Sequence, residues 1–215
     1  MTLEDAIVYT ALSYVGVSAD PQQPEARDRF ETQMGYGETA GMRRDMSSHK
    51  KSSTCGLFIR GLLWHVFHEF LKDVDLHEIA PPYAGPNNSN LGRVFDNLQA
   101  LGRRCKALVD FAPGMWPEAG DIVFVGLDTQ YDGHVYLATG RDGNVIEAVD
   151  AGQKTRQGGY QCVRAKSHTW TPSGKFMSDH AVMVGTSDIF QGSDRHVSKI
   201  MRIADLKKAL LGEAA

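Results

Sequence analysis

The chain has 215 residues, 42% of them hydrophobic, and its 23 Lys and Arg against 26 Asp and Glu give a formal net charge of −3. That length fits one domain with insertions around one sizeable core, and the charge balance, with no basic run beyond His49–Lys51 and Gly102–Arg104, argues against nucleic acid or an anionic membrane as partner. Three scattered cysteines, Cys55, Cys105 and Cys162, make neither a disulfide framework nor a CxxC metal knuckle, and their odd number leaves at least one thiol free, which fits synthesis in a reducing compartment.

The first 17 residues, "MTLEDAIVYTALSYVGV", carry Glu4 and Asp5 where an export signal would carry basic residues. Leu3, Ile7, Ala11, Leu12 and Val15 repeat at helical spacing, with Thr2 as N-cap and Gly16 as stop. A folded helix is expected, with synthesis in the cytoplasm and no signal peptide. No stretch reaches the roughly 20 apolar residues needed to span a bilayer, so no membrane insertion is expected. Residues 18–53 turn polar and read as a loop insertion holding one short helix about "EARDRFETQM".

A second helix is expected after Ser52–Thr54, burying Leu57, Phe58, Leu62, Leu63, Val66, Phe67 and Phe70 and ending around Val74. A second insertion, 75–90, contains the turn-rich "APPYAGPNNSN". Leu91, Val94, Phe95, Leu98 and Leu101 then repeat at helical period up to Gly102. Beyond "PGMWPEAGD" the period changes to that of strands. "DIVFVG", "HVYLATG" and "NVIEAV" read as consecutive antiparallel strands, "YQCVRA" and "AVMVG" as further ones, and "ADLKKALLG" as a closing amphipathic helix. Helices first and an antiparallel sheet second give an α+β class.

The segment "KSSTCGLFIRGLLW" sets Cys55 at the start of an apolar helix. The positive end of a helix dipole favours a thiolate there, and a nucleophilic cysteine needs a base. His134, opening the strand "HVYLAT", is the candidate base. Glu147, on the next strand, is the candidate to orient the imidazole, because the hairpin "TGRDGN" brings the two strands together. Asp150 and Gln153 stand next in line for that third role. The backbone N–H of Cys55 and the side chain of Tyr36 are candidate oxyanion donors.

Four segments in order, "ALSYVGV", "STCGLFIRGLLW", "PEAGDIVFVG" and "GHVYLATGRDGNVIEA", resemble the NlpC-type cell-wall cysteine peptidases and their amidase relatives. The resemblance runs from residue 6 to about residue 150 and implies a compact papain-like α+β fold, with Cys55 as nucleophile, His134 as base and Glu147 as orienting residue. It also implies an amide bond of peptidoglycan stem peptides or cross-links as substrate, and no metal or organic cofactor. The chain departs from the family in reading Thr54-Cys55-Gly56-Leu57 where members usually have Asp-Cys-Ser-Gly. Residues from about 151 to 215 exceed the minimal domain and read as a C-terminal extension of a single catalytic domain. Decorated members without a signal peptide resemble interbacterial amidase effectors and phage lytic peptidases, which implies action in the periplasm after delivery and an immunity or delivery protein as partner.

Other readings stay open: an acyltransferase or a peptidase on another substrate, and a binding or phage-structural module that keeps the fold without activity. His65, His68 and His77 match no zinc-protease order and read as solvated helix residues. His180 is a reserve base. Cys105 and Cys162 read as structural, and the glycine-containing "GRDGN" and "GYGETAG" as turns.

Overall fold

The computed structural model describes residues 1–18, 20, 22–33, 55–70, 91–127, 132–154, 161–183, 186–191 and 195–213. Helix α1 (Leu3–Ser13) starts at a capping box, in which the Thr2 hydroxyl accepts from the Asp5 N–H at 3.0 Å and the Asp5 carboxylate accepts from the Thr2 N–H at 3.1 Å. Helix α2 (Pro24–Gln33) occupies the segment expected to hold a short helix. Helix α3 (Cys55–Phe70) is apolar on most of its circumference. It buries Cys55, Gly56, Leu57, Phe58, Ile59, Leu62, Leu63, Val66 and Phe67, as a helix packed on several sides must. Its expected end near Val74 lies outside the described residues. Helix α4 (Leu91–Arg104) ends where Gly102 meets the sheet. A Cβ on Gly102 would lie 2.8 Å from Leu108 Cβ and 2.9 Å from Met201 Sδ, so only glycine permits that approach.

Among the described residues eight strands follow: β1 (Leu108–Asp110), β2 (Ile122–Leu127), β3 (Asp132–Asp142), β4 (Val145–Lys154), β5 (Gln161–Trp170), β6 (Phe176–Met183), β7 (Thr186–Gln191) and β8 (Arg195–Met201), before helix α5 (Ile203–Leu210). They form one sheet in the order β1-β8-β2-β3-β4-β5-β6-β7, with antiparallel neighbours throughout. The coarse α+β class is thus observed. The stretch read as a C-terminal extension is part of the same sheet: it supplies β5 to β8, and β8 lies between β1 and β2.

The sheet is rolled. Strands β8 and β6 stand second and seventh in it, yet the Val197 N–H donates to the Gly174 carbonyl at 2.9 Å and Lys175 bridges His196. Rolling gives the sheet two unlike faces. Ile122, Phe124, Val135, Leu137, Val149 and Val163 alternate onto the face that α1, α3 and α4 cover. Their neighbours Val123, Val125, Tyr136, Ala138, Ile146 and Ala148 form a second cluster with Trp170, Phe176, Val197 and Ile200 on the concave side. The period of two in each strand sorts the residues between these cores.

Candidate active site

The concave side is where the sequence places charge. His134 continues the alternation of Tyr136 and Ala138 on β3 and pairs in register with Val125; Asp150 continues that of Ile146 and Ala148 on β4; Arg164, Lys166 and His168 precede Trp170 on β5. All five polar residues are buried. Charges with so little access to water persist only when paired, and His134, Arg164 and Lys166 all pair with Asp150. His134 Nε2 lies 2.6 Å from Asp150 Oδ2, Lys166 Nζ lies 2.8 Å from the same oxygen, and Arg164 Nε lies 3.6 Å from Oδ1.

The carboxylate sets the tautomer. Burial pushes Asp150 toward its neutral form, but Lys166, His134 and Arg164 together outweigh it and hold the carboxyl well below the usual range. An ionised carboxylate only accepts, so His134 Nε2–H is the donor and Nδ1 is left for another partner. Among the described residues, Nδ1 meets no neighbour with full hydrogen-bond geometry. The Cys55 sulfur is nevertheless close enough to act on the ring both through its charge and as a hydrogen-bond partner. Burial alone would push the His134 ring down. The charges of Cys55 and Asp150, with their hydrogen bonds, reverse that and raise its proton affinity above that of an ordinary imidazole.

Cys55 is the first residue of α3 and belongs to the helix-side core. The site therefore sits on the seam between the two cores, where the N-terminus of α3 meets the opening residues of β3. A helix N-terminus adds directed N–H groups and a positive dipole end to the imidazolium beside the thiol, both of which favour thiolate. The other cysteines are elsewhere in character. None of the three is in a disulfide, and Cys162, buried near Asp150, has its thiol pushed up to about 12 by desolvation, which makes it a poor nucleophile at neutral pH.

Of the residues singled out in the sequence, the structure brings Cys55 and His134 together and leaves Glu147 out. Glu147 is exposed, pairs in register with Gly140 and Ser167, and lies with its carboxylate over Gly140. The carboxylate that meets the His134 ring is that of Asp150, one of the two residues next in line for the third role. The cause is where the hairpin turns. With its tip at Gly143, the opening residues of β3 lie across from the closing residues of β4, as the pairs Leu137 with Val149 and Asp142 with Val145 show. Lys166 and Arg164, which also meet Asp150, are not among the residues singled out in the sequence. Their signal is a run of basic and imidazole side chains, Arg164, Lys166 and His168, at alternate positions of one strand. Tyr36 and His77 lie outside the described residues, and His180 falls on β6.

His65 and Glu69 approach to 3.9 Å on the exposed side of α3. Among the described residues, no group of three or more His, Cys, Asp and Glu side chains is placed to hold a metal ion, and no helix is long and apolar enough to cross a membrane. No protein-family model, curated protein or solved structure matches the chain.

Proposed function

We propose that the protein is a papain-like cysteine amidohydrolase acting on an amide bond of peptidoglycan stem peptides or cross-links. The observation that supports the reading is the buried series Cys55, His134, Asp150, with the thiol on a helix N-terminus, the imidazole on a facing strand and the carboxylate fixing the tautomer. In the reaction, the Cys55 thiolate attacks the carbonyl carbon, and the developing oxyanion is met by the backbone N–H at the start of α3. The amide C–N bond breaks as the His134 imidazolium gives its Nδ1 proton to the leaving nitrogen. Neutral His134 then takes a proton from water, whose oxygen attacks the thioester and releases the carboxylic acid and the free thiol. The choice of cell-wall substrate rests on the sequence resemblance alone, and with it the expected delivery to the periplasm and the immunity or delivery partner.

Deep burial is the observation that favours a second reading. Cys55 is 0% and His134 2% exposed, and a thiol that stays covered belongs to a fold-retaining binding module without turnover. Two measurements divide these readings. Purified peptidoglycan digested with the wild-type chain should yield fragments carrying one new amine and one new carboxyl end, and Cys55→Ala should yield none. Iodoacetamide should alkylate Cys55 near neutral pH faster than a model thiol. Slow alkylation together with an undigested wall sinks the hydrolase and leaves the binding module.

A further inference from the structure

Resting on the thiol–imidazole reading of the site, we propose that Lys166 is a positioning residue: its ammonium shares the carboxylate oxygen that receives the His134 N–H, and so keeps the imidazole able both to take a proton and to give it back. The geometry is specific. Asp150 Oδ2 accepts from His134 Nε2 at 2.6 Å and from Lys166 Nζ at 2.8 Å, and the side chains of His134, Asp150 and Lys166 are 3%, 0% and 2% exposed. Among the described residues, the charged and titratable groups that act on the His134–Asp150 pair are Cys55 on α3 and Cys162, Arg164 and Lys166 on β5, and the rings of Tyr136 on β3 and His168 on β5, stacked at 4.7 Å, are buried on the same face of the sheet.

The reasoning concerns what an uncompensated carboxylate would do. In a medium that screens poorly, a buried anion within hydrogen-bond distance of an imidazole binds the imidazolium strongly. A base that holds its proton too firmly cannot return to the neutral form required for attack by water on the thioester. Lys166 offsets that hold from the far side of the same oxygen, while leaving the carboxylate ionised and the Nε2–H tautomer fixed. Arg164, 3.6 Å from Oδ1 and without a hydrogen bond to it, restrains the other oxygen more loosely.

The sign of the test does not depend on which partner carries the shared proton, because removing a nearby cation raises the proton affinity of the His134–Asp150 pair as a unit. The measurement is the titration of the His134 imidazole, followed by its ring NMR signals in wild type, Lys166→Met and Lys166→Arg. Lys166→Met should move the midpoint up by about one pH unit or more, and Lys166→Arg should stay near wild type. A folded Lys166→Met whose midpoint stays put or falls overturns the proposal, since a lysine that only filled space would leave the titration where it was. Should Lys166→Met fail to fold, Asp150→Asn is compared with Asp150→Asn/Lys166→Met, a pair in which loss of the ammonium must again raise the midpoint. Iodoacetamide on the wild type keeps the two claims separate. Slow alkylation of Cys55 refutes the active nucleophile, whereas fast alkylation with an unmoved His134 titration refutes only the role of Lys166.

Discussion

Asp121 and Asp150 are both buried aspartates, one in the turn before β2 and one on β4, and their surroundings push them in opposite directions. The Asp121 carboxylate receives the Arg202 guanidinium at 2.5 Å and the N–H groups of Glu118 and Ile203 at 2.9 and 3.1 Å, ties that join the turn to the start of α5. Desolvation still prevails and raises Asp121 above the usual carboxylate value. Asp150 is buried more deeply, but two cations and an imidazole face it, and it is held far down. Burial does not decide the charge of a carboxylate; the number of cations buried with it does. Asp121 is a clasp between elements, whereas Asp150 is a fixed anion placed to act on a neighbour.

The sharpest break between the two regions is in turnover. Cys55→Ala and His134→Ala should each remove hydrolysis, by about 10⁶-fold if the pair acts as a unit, while the protein stays folded. Near wild-type turnover in either folded variant ends the mechanism. Asp150→Asn should cost about 10²–10⁴ in kcat/KM, because the amide no longer stabilises the imidazolium or enforces one tautomer. Its oxygen can still accept the Nε2–H, so Asp150→Ala should lose more. Steady-state rates on the folded fraction check both.

Asp121→Ala should do the reverse, with turnover per folded molecule kept and about 3 kcal/mol of stability lost, because Arg202 is left without its carboxylate. For a chain of this size that is a fall of about 6–12 °C in Tm. The aspartates also differ in their dependence on pH. A carboxyl whose folded value lies above its unfolded one binds more protons when folded, so Asp121 makes stability fall as pH rises from about 3.8 through its own raised value. Asp121→Asn should flatten that slope. Asp150, shifted the other way, contributes stability throughout the range above its unfolded value and loses it only in strong acid. Denaturant midpoints at several pH values test this, and a slope unchanged by Asp121→Asn would show that another group causes it.

Much of the molecule was legible because it obeys short-range rules. The helical repeat from Leu57 to Phe67, the Thr2 cap and the alternation in "DIVFVG" and "HVYLATG" depend on neighbours within a turn or a strand, and each is where its pattern says. Strand β8 is not legible in the sequence, since "RHVSKIM" has polar residues at every position outside Val197, Ile200 and Met201. Its place beside β2 follows from the rolling of the sheet, which no local pattern reports. The pairing of Cys55 with His134 was legible from the order of elements. The third residue is not, because the strand pattern "NVIEAV" stops at Val149, whereas β4 continues through Lys154.

Glu147 is where that misreading is most cheaply tested, and it carries the smallest expected effect. It lies opposite Gly140, six residues along β3 from His134, and at about 3.3 Å per residue that separation is near 20 Å, far beyond the reach of a glutamate side chain. Its side chain is exposed on a strand whose buried neighbours, Ile146 and Ala148, belong to the concave core. Replacing it removes neither a core contact nor a buried charge. Glu147→Ala and Glu147→Gln should therefore change stability by less than about 0.5 kcal/mol and leave both hydrolysis and the His134 titration as in wild type. A graded loss, larger for Ala than for Gln, would return the orienting role to Glu147 and require a β3–β4 register different from the one that places Asp150 against the imidazole.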